Sequence, residues 1–228
     1  MTGAGTGAVP APPRSAEEYF GASLAAVERY AALLAGPGAE RGLIGPREVP
    51  RLWERHLLNC AVVHEAIPPG ASVVDVGSGA GLPGVVIALI RPDLSVILVE
   101  PLLRRSRYLD EIVTELELRH VSVLRARAED LHGNLTADVA TARAVAPLDR
   151  LARWTLPLLR HGGRLLALKG ASADEEITNS RDAMRRAGAG AIELVEYGVG
   201  VIEPVTRVVV VQRAAQKRSD GSRRGPRR

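Results

Sequence analysis

A glycine-rich turn directly after an apolar run is the place where residue types and spacing in this sequence suggest chemistry. Residues 75–84 read Asp-Val-Gly-Ser-Gly-Ala-Gly-Leu-Pro-Gly and follow two valines. Alternate glycines let the backbone turn tightly and let a ligand lie against it, while Pro83 suits the first turn of a helix. The N–H groups of that helix would face an anionic part of the ligand. The turn therefore predicts a small-molecule site between a strand and a helix.

Two ligand classes fit this turn. Residues 79–84 match the Gly-x-Gly-x-x-Gly fingerprint of dinucleotide sites, but that loop begins at the first glycine after the strand, and from Gly77 the third glycine falls on Leu82. Asp-x-Gly-x-Gly-x-Gly describes the turn better, with Asp75 placed to repel a pyrophosphate and attract a cation. S-adenosylmethionine carries an ammonium and a sulfonium charge. We expect Asp75, Gly77 and Gly79 to contact it.

Acidic residues also follow later strands. Glu100 ends the second predicted strand, where a carboxylate accepts hydrogen bonds from both ribose hydroxyls of either cofactor. An ordinary solvated strand end is the alternative. Ala128, Glu129 and Asp130 follow the third strand. An acid pair after a small residue suits the rim of an adenine pocket, and equally the start of a helix whose dipole it complements.

Candidate cations lie at the ends of the next two strands and on a helix before the sheet. Arg143 ends the fourth strand, which usually faces the reacting atom, and its guanidinium suits a carboxylate, a phosphate or guanine O6. Lys169 ends the fifth strand and is either a second cation of the site or a surface lysine. Arg51, Arg55 and His56 form either a basic face beside the pocket or a solvated helix face.

The elements that must position these residues alternate along the chain. Short β-branched runs predict strands at 72–76, 95–99, 121–124, 138–142 and 164–168. Crossover helices expected to begin near Leu82, Leu103, Leu148 and Asp174 make these strands parallel. Two further runs, 192–197 and 206–211, are too close for a crossover helix and are expected to pair antiparallel. The sequence therefore predicts an α/β, seven-stranded, mostly parallel sheet with an antiparallel last strand.

Composition limits the class of protein. The chain has 228 residues, 46% hydrophobic and 25% charged, which is typical of one soluble globular domain. Its single cysteine, Cys60, excludes an internal disulfide framework and a Cys-rich zinc site, and we expect no metal. No apolar run approaches the ~20 residues of a membrane span, and the N-terminus lacks the pattern of a signal peptide. We expect a cytoplasmic protein without a membrane partner.

Several motifs occur in the order found in one family. The sequence resembles the RsmG or GidB family of bacterial 16S rRNA guanine-N7 methyltransferases from about Leu43 to Gly170. The motifs that carry the resemblance are residues 75–84, Arg91-Pro92, residues 103–109, Ala128-Glu129, residues 141–144 and residues 166–170. The Gly-Leu-Pro-Gly turn together with Arg143 and Leu-Lys-Gly is more specific than any one of them.

The resemblance implies a class I, Rossmann-like methyltransferase that uses S-adenosylmethionine. Its cofactor contacts correspond to Gly77, Leu82, Ala128, Glu129 and Arg143. The implied acceptor, guanine N7, carries a free lone pair and needs no general base, so Arg143 would act by positioning. The family's arginine–histidine pair corresponds to Arg55-His56, which with Lys169 would contact RNA.

The resemblance and the composition together predict the domain organisation. We expect a disordered N-terminus (1–14), an N-terminal helical segment packed on the domain (15–66), the methyltransferase domain (67–213) and a basic disordered tail (214–228). Ser15 and Glu18 form a capping-box pattern for the first helix. The second helix is expected to begin near Arg51. Trp53 and Tyr108 are candidates for base stacking near the site, with a core position as the alternative.

The expected partner is 16S rRNA or the small ribosomal subunit, and a monomer is favoured. A nicotinamide (NAD) oxidoreductase on the same sheet is the alternative enzyme, although the sequence offers no clear acid/base residue for hydride transfer. A non-catalytic ribosome-assembly factor is the alternative from the binding class. A small-molecule methyltransferase would explain the turn but not the basic tail.

The tail generates the first testable prediction. Residues 216–228 hold six basic and one acidic side chain, so the rest of the chain carries a net charge of −1. Such a segment either binds polyanions or only aids solubility. We expect removal of residues 216–228 to weaken RNA affinity and flatten its salt dependence, because fewer counterions are released. Equal salt slopes for the full and truncated chains would leave the tail no part in binding.

Overall fold

Valine-rich strands and intervening helices build one seven-stranded sheet. In the computed structural model, which describes residues 9–215, the strand order is β3-β2-β1-β4-β5-β7-β6. The strands are β1 Ser72–Val76, β2 Ser95–Val99, β3 Val121–Leu124, β4 Ala137–Arg143, β5 Leu159–Lys169, β6 Ala189–Tyr197 and β7 Thr206–Arg213. Residues 1–8 of the expected N-terminal segment and the tail 216–228 lie outside the described residues.

The strand directions confirm the predicted fold class. The first five strands are mutually parallel, and β7 lies antiparallel between β5 and β6. The first three strands have the predicted bounds, whereas β4 to β7 are longer. The largest difference is in β5, which begins at Leu159. Leu159 pairs with Ala137 of β4, and a register shift separates this pair from the next one, Val139 with Arg164.

Both faces of the sheet are covered. Neighbouring residues of β1 point to opposite sides, so Val73 packs with the N-terminal helices and Val74 packs beneath the helices that follow β4 and β5. In β5, Leu166 lies on the same face as Val73, and Leu165 lies on the same face as Val74. Burial on two sides explains why these strands are continuous apolar runs.

The helices provide both layers. They are α1 Arg14–Phe20, α2 Leu24–Leu33, α3 Asn59–Ala61, α4 Gly84–Ile90, α5 Leu103–Glu115, α6 Leu148–Thr155 and α7 Ala173–Arg186. Tighter or wider helical turns occur at Gly21–Ser23, Leu34–Gly38, Pro46–Arg51, Leu52–Leu58, Val62–Ala66, Ala128–Leu131 and Leu156–Leu158. Among residues 9–215, no helix has the length and apolar character of a membrane span.

The start of the first helix differs from its prediction. The helix begins at Arg14 after Pro13, and no side chain caps it, so the Ser15 capping box is wrong. Residues 9–13, placed in the disordered segment by composition, run beside the N-terminal helices, where the Pro10 carbonyl accepts a hydrogen bond from Trp53 Nε1 at 2.7 Å. That buried indole therefore supplies a contact that composition does not reveal.

The helical path also continues through Gly36-Pro37-Gly38, although glycine and proline are typical of the end of a helix. Pro37 has no N–H to offer the carbonyl of Leu33, and the buried Tyr108 hydroxyl of α5 donates to that carbonyl at 3.2 Å. Gly38 makes room for the contact, because a Cβ there would lie 3.0 Å from the same hydroxyl.

The N-terminal helices contact the far end of the chain as well as the first strands. Asn59 donates from Nδ2 to the Thr206 hydroxyl at 2.7 Å, and that hydroxyl donates to the Asn59 carbonyl at 3.0 Å. Helical turns begin at Pro46, earlier than the predicted Arg51, and continue to Ala66. This packing brings residues 43–56 over the carboxyl ends of the central strands.

Candidate cofactor and substrate site

A cavity of about 630 Å³ opens at the carboxyl ends of β1 to β4. This volume is within the range of small-molecule sites. Eight predicted residues line it, namely His56, Gly77, Gly79, Leu82, Glu100, Ala128, Glu129 and Arg143. Asp75, Arg55 and Lys169 are absent from its wall.

The glycine turn forms the floor of the cavity through left-handed backbone conformations. Gly77, Gly79 and Gly81 have φ values of +70°, +59° and +100°. A Cβ at Gly77 would lie 2.8 Å from Val145, whereas a Cβ at Gly79 would meet only the Gly77 carbonyl oxygen at 3.7 Å. Backbone conformation therefore favours glycine at all three positions, and close packing requires it at Gly77 as well.

Asp75 lies beneath this turn and not in the cavity, which corrects the prediction that it faces a cationic ligand. Its carboxylate is fully buried, accepts the Thr141 hydroxyl at 2.7 Å and accepts the Gly84 N–H of α4 at 3.2 Å. The predicted anion site at the start of α4 is wrong for the same reason, because Asp75 takes that N–H. Burial raises the pKa of Asp75 to about 6.

Glu100 joins the turn to the chain after β2. Its carboxylate is 2% exposed and accepts the Gly79 N–H and the Leu102 N–H, each at 3.0 Å. Each carboxylate oxygen has a further lone pair, and the residue lines the cavity. Glu100 can therefore hold the turn in place and still accept hydrogen bonds from a ligand.

The two acids after β3 have separate positions. Asp130 accepts the N–H of Arg127 at 3.3 Å, which ties it to the start of the helical turn at Ala128–Leu131. Glu129 is exposed and lines the cavity beside the buried methyl of Ala128. Glu129 is thus placed where a ligand could contact it, whereas Asp130 is used at the start of the helical turn.

A chain of polar contacts crosses the cavity wall at the end of β4. Arg143 donates through Nη2 to His56 Nδ1 and through Nη1 to Cys60 Sγ, the latter at 3.0 Å. His56 Nε2 lies 2.8 Å from a Glu48 carboxylate oxygen. Burial, and secondly the neighbouring Arg143 charge, lower the pKa of His56. His56 is therefore neutral, with Nδ1 accepting and the Nε2–H donating to Glu48.

Sequence reasoning missed four parts of this wall. Glu48 had no motif to mark it, and the contact of Cys60 with Arg143 depends on the packing of the N-terminal helices. Trp154 lines the cavity, with the Arg150 guanidinium 5.8 Å from its ring centroid. Leu43 and Ile44 line the cavity from the segment before the sheet. The predicted stacking residues Trp53 and Tyr108 are 3% and 1% exposed, so they belong to the core.

Two predicted RNA contacts are engaged elsewhere. Lys169 Nζ binds Glu176 at 2.8 Å and the Ala146 carbonyl at 2.9 Å, and its side chain is 13% exposed. It links β5 to α7 and is not a free cation at the rim. Arg55 is half-exposed and lies 3.2 Å from Glu48, outside the cavity wall. Among the described residues, no group of three or more His, Cys, Asp or Glu could hold a metal ion.

Comparison with known proteins identifies the family. The profile described as rRNA small subunit methyltransferase G (GidB) matches residues 23–199. The chain belongs to this family. The chain is 58% identical to ribosomal RNA small subunit methyltransferase G of Thermobifida fusca over 200 residues, covering 88% of this chain and 84% of that protein. It is 52% identical to the Streptomyces avermitilis protein of the same name over 226 residues, covering 95% of each.

A solved structure shows the same fold at low identity. Fibrillarin from Aeropyrum pernix, crystallised with natively bound S-adenosyl-L-methionine, has a TM-score of 0.52 and 19% identity, covering 69% of this chain and 74% of that one. Family and fold together make this GidB chain an S-adenosylmethionine-dependent methyltransferase. The cavity fits the cofactor, because it combines an open glycine turn with a buried carboxylate at the end of β2.

Tyr30 connects the N-terminal helices to the glycine turn. Its fully buried hydroxyl donates to the Ala80 carbonyl at 2.8 Å. A Cβ at Gly81 would lie 2.8 Å from the same hydroxyl. Tyr30 therefore holds the turn through Ala80, and Glu100 holds it through Gly79.

We expect Tyr30→Phe to weaken S-adenosylmethionine binding about fivefold to tenfold, or ~1–1.4 kcal/mol, because the unpaired buried carbonyl loosens the turn. Titration calorimetry measures this affinity. Tyr108→Phe is the matched control, since Tyr108 also donates to one backbone carbonyl but lies away from the turn. Equal cofactor affinities for the two variants would contradict the role of Tyr30.

The buried Asp75 predicts a pH effect on stability. Its folded pKa of about 6 is above its ordinary 3.8, so the folded state binds the proton more tightly. Its contribution to the free energy of unfolding is fully present below pH 4 and decreases as the pH rises through 6, by about 3 kcal/mol in total. We expect the stability of the wild type relative to Asp75→Asn to fall over this window in urea titrations. A difference independent of pH would contradict this assignment.

Proposed function

We propose that this chain transfers the methyl group of S-adenosylmethionine to N7 of a guanosine in 16S rRNA of the small ribosomal subunit. The observation that carries the proposal is the wall at the end of β4, where neutral His56 and Arg143 meet and no carboxylate is free to take a proton. Glu129 follows β3, and two strands at ~4.8 Å spacing separate β3 from β4. A ring nitrogen with a free lone pair is the acceptor that suits such a wall.

The proposed cofactor contacts follow from the lining of the cavity. Glu100 would accept hydrogen bonds from the ribose hydroxyls, and Ala128 and Glu129 would border the adenine. Gly77 and Gly79 would lie against the methionine part, and Leu82 would close the floor. When bound, S-adenosylmethionine supplies a methyl carbon on a positively charged sulfur.

Arg143 is proposed as the residue that positions the reactants. Two of its five N–H donors are used by His56 and Cys60, which leaves three for ligand oxygen atoms such as guanine O6. Its neighbours hold the guanidinium in one orientation and exclude water from its inner side. Alignment of this kind contributes ~7–11 kcal/mol in well-oriented reactions, without a general base.

The substrate must present its base outside a regular duplex. Guanine N7 lies in the deep, narrow major groove of A-form RNA, so it is accessible in a loop, a bulge or a turned-out base. We propose 16S rRNA or the small subunit as the partner, the cytoplasm as the compartment and a monomer as the working form.

The family assignment favours this proposal over an NAD oxidoreductase. The charge of Asp75 no longer argues against a pyrophosphate, because that carboxylate is buried beneath the turn. Labelled methyl transfer from S-adenosylmethionine to unmodified small subunits, followed by mapping of the base, tests the proposal directly. Cofactor binding without transfer would favour the assembly-factor alternative.

We expect Arg143→Ala to lower methyl transfer at least 100-fold, a loss of about 3 kcal/mol of positioning, while the fold is retained. Arg143→Lys restores the charge without the planar fork and is expected to recover little activity. Single-turnover transfer and circular dichroism measure the two effects. Wild-type turnover by a folded Arg143→Ala variant would refute the role of this side chain.

The neutral wall also predicts the pH profile of kcat. Because the acceptor loses no proton, we expect kcat to be flat from neutral to alkaline pH. It should fall on the acid side below the ordinary pKa of histidine, where His56 gains a proton and repels Arg143. His56→Asn keeps an acceptor for Arg143 and is expected to lose this acid limb. An alkaline limb governed by a general base would contradict the mechanism.

A further inference from the structure

Exposed arginines lie in and next to the segments after β2 and β3 that line the cavity, which contribute Leu102, Arg105 and Arg127 to its wall. Arg104 and Arg107 are exposed on the first turns of α5, and Arg125 and Arg127 are exposed after β3. Arg104 and Arg107 are three residues apart, so they share one face of the helix. The ends of β2 and β3 are adjacent, and Glu100 N–H donates to the Leu124 carbonyl there at 3.1 Å.

Among the described residues, these arginines have no acidic partner, as is also true of Arg185 and Arg186, and what distinguishes them is their position next to segments that line the cavity. Elsewhere, Arg41 binds Glu111 at 2.6 Å and Arg153 binds Asp149 at 3.2 Å. Within residues 9–215, no acidic group lies within 4.0 Å of the guanidinium of Arg104 or Arg107, nor of Arg125 or Arg127. This side of the cavity therefore carries guanidinium groups that form no ion pair within the described part of the chain.

Fold stability does not account for these charges. The first turn of α5 contains Arg104 and Arg105 and no acidic residue, so its cations lie at the positive end of the helix dipole. A cation at this end of a helix destabilises it compared with an acid at the same place. An external polyanion would offset that cost.

Exposed apolar side chains accompany the charge. Leu102 and Leu103 are 54% and 43% exposed, and among the described residues Val199 is the one other large hydrophobic residue with comparable exposure. Leu102 also lines the cavity. Single-stranded RNA offers both unstacked base faces and phosphates, which such a mixed surface can contact.

We propose that Leu102, Leu103, Arg104 and Arg107 form the surface on which the RNA strand lies as its target base enters the cavity. The two arginines bind phosphates, and the two leucines contact unstacked bases. This inference rests on the proposed function and specifies the face of the domain that the substrate crosses. A partner chosen by charge alone would not require the leucines.

The double variant Arg104→Gln/Arg107→Gln tests the electrostatic part. Its affinity for unmodified 16S rRNA is measured against salt concentration. We expect the slope of log K against log salt to decrease by about 1.4, roughly 0.7 per arginine on a single strand, which corresponds to about 25-fold weaker binding at 0.1 M salt and convergence near 1 M. Thermal stability is expected to stay the same or rise, because cations are removed from a helix N-terminus.

The matched control is Arg185→Gln/Arg186→Gln. These exposed arginines end α7, which starts after the carboxyl end of β5 and returns to the opposite edge of the sheet. The control removes the same charge at a place away from the cavity. It is therefore expected to keep the wild-type RNA slope. Leu103→Ser tests the apolar part and is expected to weaken RNA binding several-fold with an unchanged slope.

The outcomes separate this inference from the proposed function. Failure of the wild type to methylate small-subunit RNA would overturn the proposed function. Wild-type methylation with equal salt slopes for the Arg104/Arg107 variant, the control and the wild type would overturn the surface alone. Loss of binding to phosphatidylglycerol–phosphatidylcholine vesicles in the Arg104/Arg107 variant, with RNA affinity unchanged, would overturn it in favour of a lipid surface.

Discussion

The burial of one carboxylate under the glycine turn organises the cofactor end of this molecule. Asp75 joins β1 to β4 through Thr141 and joins both strands to α4 through the Gly84 N–H. A Cβ at Gly84 would lie 2.7 Å from an Asp75 oxygen, so a glycine is needed for this approach. With the strand and helix fixed from below, the left-handed turn between them has little freedom. Glu100 and Tyr30 then hold it from two sides.

A second network, the polar contacts around Arg143, holds the substrate end of the cavity in place. Arg143 belongs to the sheet, whereas His56, Cys60 and Glu48 belong to the N-terminal segment. The wall at this end thus depends on packing between two parts of the chain that are distant in sequence. Ala144, next to Arg143, has a φ of +53°, which is uncommon for a residue with a side chain. The backbone is held in this conformation where the wall meets the floor.

The sequence predicts the sheet and most of the cavity, because these depend on local patterns. Valine runs and alternate glycines specify β1 and its turn, and the ends of parallel strands meet at one edge. The errors concern side chains whose partners are decided by the packing of one element on another. The charge of Asp75 suggested a ligand contact, but strand alternation turns it toward α4. Lys169 was predicted to be a cation of the site, but in the structure it pairs with Glu176.

The contact between Asn59 and Thr206 has a consequence for biosynthesis. Residues 43–56 form one wall of the cavity and leave the ribosome early, but their supporting helices are tied to β7, near the end of the described chain. Contacts of such long sequence separation form late, because closing the long loop between them costs entropy. A nascent chain that has completed β1 to β4 holds every glycine and carboxylate of the floor without a fixed wall above them. Competence for ligand binding therefore depends on the synthesis of β7, well after the residues of the floor.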